Sequence, residues 1–292
     1  MTINILPSGN YMIPHSLAVE LLRVTMLVYD YGAKYEVKTS ETLETFVSRL
    51  KSSGGIDVVS DLQKTVLGDA ATQAPDGKVC KFISNAETDV QAGITLSENN
   101  KRICVVFRGS ESRTDWYYDL SIAKCRLRDD IWVHSGFFKQ LFNGGVYNEI
   151  LEEVKRLVAE HPDFEVYVTG HSLGAALSTL CGFELAHEIE NPVTVVSFAS
   201  PRVGNRRWKA AFEGKANLHH SRVSTQRDIV TAFPYFRYHH VGENIRLSDK
   251  AVKVFGADSV RSWYEETFFS CWSASEHMCD VYYRRLIQNE WN

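Results

Sequence analysis

The stretch "YVTGHSLGAALSTL", residues 167–180, runs from aromatic and β-branched residues through Gly170, His171, Ser172 and Gly174 into a series of alanines and leucines. Its first part has the composition of a strand and its last part that of a helix, so the chain must turn sharply between them. Ser172 stands at that turn, between residues with almost no side chain. The spacing Gly170-x-Ser172-x-Gly174 is the G-x-S-x-G pattern of a nucleophile elbow. Its glycines have a steric purpose. The bend is so tight that side chains on either side of the serine would strike the neighbouring strand and helix, while the serine hydroxyl is held out at the carboxyl edge of a sheet.

Outward from the elbow, strand-like and helix-like segments alternate. "KVCKFISN" (78–85), "TDVQAGITLS" (88–97) and "RICVVFRGS" (102–110) read as strands, and "FFKQLFNGGVYNEILEEVKRLVAEHPDF" (137–164) as one long amphipathic helix loosened at Gly144 and Gly145. "EVYVTG" (165–170) is a strand and "LGAALSTLCGFELAHEIE" (173–190) a helix. "VTVVSFAS" (193–200), "SRVSTQRD" (221–228) and "YHHVGENIRL" (238–247) are further strands, with a short helix in "RRWKAAFEG" (206–214). Near the start, "IPHSLAVELLRVTMLVYDYG" (13–32) and "TLETFVSRL" (42–50) have helical periodicity. Strand, helix and strand in repetition predict an α/β fold, a mostly parallel central sheet flanked by helices. No composition break divides the 292 residues, so one domain is expected over 1–292, with a helical region over about 1–75.

Composition excludes other classes. With 44% hydrophobic and 23% charged residues the chain can bury a core and is not disordered. A formal charge of −4 and the lack of any Lys/Arg run argue against a nucleic-acid partner. The first thirty residues have no basic start, and Glu20 and Arg23 interrupt their apolar stretch, so neither a signal peptide nor a spanning helix is expected; the reading is a soluble intracellular protein. The six cysteines form no C-x-x-C pair and read as thiols, with Cys104 and Cys181 in apolar, buried segments.

A serine hydroxyl needs a base within hydrogen-bond reach, and the base needs a carboxylate to hold its tautomer. In the α/β-hydrolase arrangement these follow in the order Ser, Asp or Glu, His, which confines the search to residues after 172. Asp228 comes directly off a predicted strand, ahead of a loop ending at Pro234; Glu213, Asp249 and Asp258 remain open. His277 opens the last helical segment after all the strands, and His240 is its competitor. The charge developing on a substrate carbonyl needs donors too. One is the backbone N–H of Leu173, and the other is Ser110, where the strand "VVFRGS" stops.

These stretches together resemble the class 3 lipases. "VVFRGS", "DWYYDL", "VHSGFF", "VTGHSLGAAL", "SFASPRVGN", "RDIVTAFP", "YHHVGENI" and "EHMCDVYY" follow the family's order over roughly residues 80–285. The resemblance implies an α/β-hydrolase fold, Ser172 as nucleophile, Asp228 as orienting acid, His277 as base, and Ser110 with Leu173 as oxyanion donors. It also implies a short lid after the oxyanion loop, in "ESRTDWYYDLSI" (111–122), where Trp116, Tyr117 and Leu120 would cover the site in water and turn onto lipid at a surface. The alternative is that Trp116 and Leu120 are core contacts. His134, His171, Arg202 and Asn205 read as structural residues. Secreted fungal members carry a leader and disulfides, and here Ala175 stands where the family often has glycine.

The expected reaction is hydrolysis of an acyl-glycerol or related lipid ester through an acyl-enzyme, with no metal or organic cofactor. The alternatives are an esterase or thioesterase on smaller soluble substrates, and a lipase-like scaffold without turnover. The lipid or ester substrate is the expected partner, with transient lipid-surface contact through the lid. The sequence sets no oligomeric state.

Overall fold

Strands that are buried at nearly every position make the centre of the protein, and they are the ones enclosed on both sides. The structure, a computed structural model, describes residues 12–29, 38, 40–52, 76–109, 122–259 and 273–291. In chain order these form α1 (His15–Val28), α2 (Leu43–Ser52), β1 (Lys78–Asn85), β2 (Val90–Ser97), β3 (Arg102–Phe107), β4 (Lys124–Arg128) and β5 (Ile131–His134). There follow α3 (Ser135–Phe142), α4 (Val146–Glu160), β6 (Glu165–His171), α5 (Leu173–Glu188), β7 (Val193–Phe198), α6 (Arg206–Glu213), β8 (Leu218–Thr225), β9 (Glu243–Leu247), β10 (Val252–Phe255) and α7 (Cys279–Gln288).

Eight strands make one sheet in the order β1-β2-β3-β6-β7-β8-β9-β10. From β3 to β9 neighbouring strands run parallel, whereas β1-β2, β2-β3 and β9-β10 pair antiparallel. The period of two along each strand divides the core into two layers. Ile103, Val105, Phe107, Val166, Val168, Val193 and Val195 face α3, α4, α5 and α6, while Cys104, Val106, Tyr167, Val196 and Phe198 face α1 and α7. Helix α5 is buried almost all round, as a helix enclosed within the core must be.

Two departures from the sequence reading have local causes. The long helix divides in two, because Gly144 and Gly145 take left-handed φ values of 64° and 77°, a conformation that ends α3 and restarts the chain as α4. The predicted strand 238–247 is a strand only over Glu243–Leu247, and His239 makes a single bridge to Gly204. The β4-β5 hairpin and β10 were not expected at all. They lie at the margins of the fold, where few positions are buried and the apolar pattern is correspondingly faint.

Candidate active site

The parallel strands β3, β6, β7 and β8 deliver their carboxyl ends to one edge of the sheet. Strand β6 ends at His171 and α5 begins at Leu173, so the whole change of direction falls on Ser172, with φ 60° and ψ −123°. Few non-glycine residues adopt this backbone, and it survives here because the packing on both sides dictates it. A Cβ on Gly170 would overlap the Gly174 carbonyl, and one on Gly174 would lie 2.5 Å from the Phe107 oxygen. The Ser172 amide is bonded to the Phe198 carbonyl at 3.0 Å, tying the bend to β7.

Two loops from distant parts of the chain meet this serine. His277 ends a short 3-10 turn, Ala274–His277, and its Nε2 stands 2.7 Å from Ser172 Oγ. Its Nδ1 faces both oxygens of Asp228, at 3.0 and 2.9 Å. A proton on Nδ1 directed at the carboxylate leaves Nε2 to accept from the serine hydroxyl. Asp228 and Ser273 form a parallel bridge, and the Ser273 amide donates to the Arg227 carbonyl at 3.0 Å, so the loops bearing acid and imidazole are joined directly.

Asp228 is 2% exposed and is held by further donors. The Val230 amide donates to Oδ1 at 2.8 Å and the Tyr282 hydroxyl to Oδ2 at 2.6 Å, while the Thr225 amide donates to the Tyr282 oxygen at 3.1 Å. Burial, with the Asp228 charge adding to it, holds the Tyr282 hydroxyl well above its ordinary pKa, so it remains a donor. Charged acceptors make the stronger hydrogen bonds, and a buried carboxylate left without them would be destabilised. Sequence reasoning missed Tyr282. Its only trace was a tyrosine in the helix that follows His277, one of two adjacent candidates.

His171 supports the site from beneath. Its Nε2 donates to the His277 carbonyl at 2.8 Å, and its Nδ1 accepts from the Tyr29 hydroxyl at 3.3 Å. Burial and then the nearby His277 hold it well below pH 6.5, so the ring is neutral and positions the base rather than exchanging protons. Tyr29 also packs on the strand end of β3: a Cβ on Gly109 would overlap its hydroxyl, and the His171 carbonyl stands 2.7 Å from the same point.

The remaining candidates are resolved by their partners. The His240 ring bonds the Thr231 carbonyl at 2.7 Å. Glu213 pairs with Lys209, Asp249 with Arg285 at 2.9 Å, and Asp258 with Lys209 at 3.5 Å. His134 caps α3, accepting from the Gly136 and Phe137 amides, and Asn205 caps α6 by accepting from Trp208. Arg202 is fully buried and donates to the Ala232 carbonyl. Leu173 is buried at the first position of α5, where a helix amide has no partner within its own helix. Ser110 and the lid candidates Trp116, Tyr117 and Leu120 lie outside the described residues. Cys80, Cys104, Cys125, Cys181 and Cys279 are free thiols, and burial pushes Cys104 up to about 12.

Two buried histidines give the fold a pH dependence. His171 and His220 are 4% and 6% exposed, and burial lowers both, His220 to about 3. Below the ordinary value of 6.5 the unfolded chain binds these protons and the folded one does not, so stability is complete above 6.5 and is lost as pH falls toward the folded values. Each ring contributes about 1.4 kcal/mol per pH unit in that window. Urea midpoints are expected to drop steeply between about pH 6.5 and about pH 5. Equal midpoints at the two values would show that the rings are protonated in the folded state.

Comparison with known proteins gives the same result from another direction. The family model for "Lipase (class 3)" matches residues 104–238. The lipase of Rhizomucor miehei is 30% identical over 184 residues, which cover 60% of this chain and 50% of that protein. The secreted mono- and diacylglycerol lipase A of Penicillium cyclopium is 29% identical over 189 residues, 61% of each. The match thus spans half to three-fifths of these relatives. A crystal structure of a mutant form of MDLA from Penicillium cyclopium superimposes with a TM-score of 0.72, covering 91% of this chain and 96% of that one at 23% identity, a likeness of fold. The expected intracellular location is corrected by this comparison, since the Penicillium relative is a secreted lipase by name. The composition of a folded domain does not record its destination, so the first thirty residues were a poor guide to it. No helix among the described residues is long and apolar enough to cross a membrane. With an α/β-hydrolase sheet, an elbow serine and the family's motifs in order, the chain is similar to the class 3 lipases over residues 104–238.

Proposed function

We propose that the protein is a serine carboxylic-ester hydrolase that cleaves acyl-glycerol or related lipid esters, and that the described residues form one catalytic domain. The observation that carries the reading is the unbroken line from Ser172 Oγ to His277 Nε2 at 2.7 Å and from His277 Nδ1 to the Asp228 carboxylate at 2.9 Å. In the first half-reaction, Ser172 Oγ attacks the ester carbonyl carbon and gives its proton to Nε2. The Leu173 amide and Ser110 donate to the oxyanion, a contribution of about 3 kcal/mol for each such donor. Collapse breaks the bond to the alcohol, which leaves with the proton from Nε2. Water then gives a proton to Nε2 and attacks the acyl carbon, and Ser172 recovers its proton as the acid departs. Asp228 stabilises the imidazolium throughout without itself taking the proton.

The relatives are a lipase and a lipase for mono- and diacylglycerols by name, which supports an acyl-glycerol as substrate. A panel of triacylglycerol, diacylglycerol, phospholipid and galactolipid, set beside soluble esters of rising chain length, tests this. Hydrolysis is expected to favour medium and long acyl chains on a glycerol backbone. A preference for short soluble esters or thioesters would replace the lipid reading with an esterase, and hydrolysis of nothing in the panel would leave a scaffold.

A further inference from the structure

The segment that carries Asp228 continues into an exposed aromatic turn. Beyond the 3-10 turn Val230–Ala232, Tyr235 and Phe236 are each 58% exposed, and the chain reverses at Arg237, whose φ is 58°. Phe233 braces Tyr235 edge to face, with ring centroids 5.8 Å apart. The Tyr238 hydroxyl then donates to the carbonyls of Ile122 and Ala123, at 3.2 and 3.1 Å, which brings Ile122, 65% exposed, alongside this turn. Three large apolar side chains standing in water on one edge of the molecule are an unfavourable arrangement that a partner relieves.

The charges beside them say which partner. The Lys124 ammonium lies 3.8 Å above the Tyr238 ring and the Arg237 guanidinium 5.2 Å above the Phe236 ring. Among the described residues neither cation has a carboxylate in ion-pair range, and burial, and then the nearby Arg237, lower the pKa of Lys124. Arg206 also acts on His239, beside this edge. Aromatic rings with cations beside them are the makeup of a membrane interface: the rings enter the boundary between headgroups and acyl chains, and the cations stay at the level of the headgroups. The chain as a whole carries −4, so an anionic surface repels most of it and attracts this edge.

We infer that the turn of Tyr235, Phe236 and Arg237, with Ile122 and Lys124 beside it, is the surface by which this protein docks on a lipid bilayer bearing anionic headgroups. The inference extends the lipid-ester reading, on which it rests for its purpose, and it does not involve the 110–121 segment. Docking through this turn sets the segment that follows Asp228 against the bilayer.

The test is co-sedimentation of the whole chain with vesicles of dialkyl-ether phosphatidylcholine, with and without dialkyl-ether phosphatidylglycerol, lipids that have no ester to cleave. Wild-type protein is expected to bind the anionic vesicles and to release as salt is raised. Tyr235→Ser/Phe236→Ser is expected to weaken binding by about tenfold or more, and Lys124→Gln/Arg237→Gln by about thirtyfold. Both double variants are expected to hydrolyse a soluble ester at the wild-type rate, which shows that they are folded. Variants that bind as the wild type does, or wild-type protein that binds neutral vesicles equally well, would overturn the assignment. So would a concentration-dependent dimer that Tyr235→Ser/Phe236→Ser abolishes, because a second copy would then cover the patch. Full vesicle binding by a wild type that hydrolyses no ester would uphold the docking surface and remove only the catalytic reading.

Discussion

Replacing Ser172 with alanine is expected to lower kcat on a soluble ester by about a millionfold while leaving the fold intact. The size of the effect follows from the unity of the arrangement. The imidazole and carboxylate act on a substrate only through the serine oxygen, so removing that atom leaves substrate binding and the oxyanion donors as the sole catalysts. The fold should not suffer, because the Ser172 side chain makes no cap bond to α5, and the strained bend is imposed by the packing around Gly170 and Gly174. Alanine takes the same backbone at no greater strain. Steady-state kinetics beside a urea midpoint separates the two effects. A variant that keeps a tenth of the activity would mean that another group attacks the ester.

Asp228→Asn should lower kcat by about ten-thousandfold. As a carboxylate, Asp228 accepts from His277, Val230 and Tyr282 at once. An amide has one acceptor oxygen and must aim its NH2 at one of those donors, and the arrangement with least conflict turns the NH2 toward His277. The ring then moves its proton to Nε2, and the serine hydroxyl loses its acceptor. The pH–rate profile of the residual activity is expected to change with kcat, since the base that remains no longer carries the carboxylate's influence. If the asparagine variant keeps more than about a tenth of the wild-type rate, the carboxylate orients the loop and does not assist the base.

How much of this could be read from residues alone depends on whether the cause was local. The elbow was legible because its cause is steric and contained within five residues: Gly170 and Gly174 have no other explanation at a strand-to-helix bend. The parallel strands were legible because burial on both faces demands largely apolar runs, such as Ile103–Phe107 and, with Thr194 and Ser197 buried among valines, 193–198. Asp228 and His277 were reached through chain order, and the structure brings both to Ser172. Tyr282 was not, because what makes it a donor is the depth at which α7 packs against β8, a tertiary fact that a tyrosine in a helix does not disclose. The same holds for Tyr29, whose hydroxyl reaches His171 across 142 positions. The splitting of the long helix was half visible, in two adjacent glycines whose left-handed backbone only the structure reveals.

A buried imidazole and carboxylate activate one serine oxygen, and a fluorophosphonate incubated with the folded protein reports on that activation, the adduct being mapped by peptide mass spectrometry. A single phosphonylated residue, Ser172, is expected, with labelling abolished in His277→Ala. A wild-type chain that takes no label, or that is labelled equally fast without the imidazole, would mean that the serine is not activated in this way.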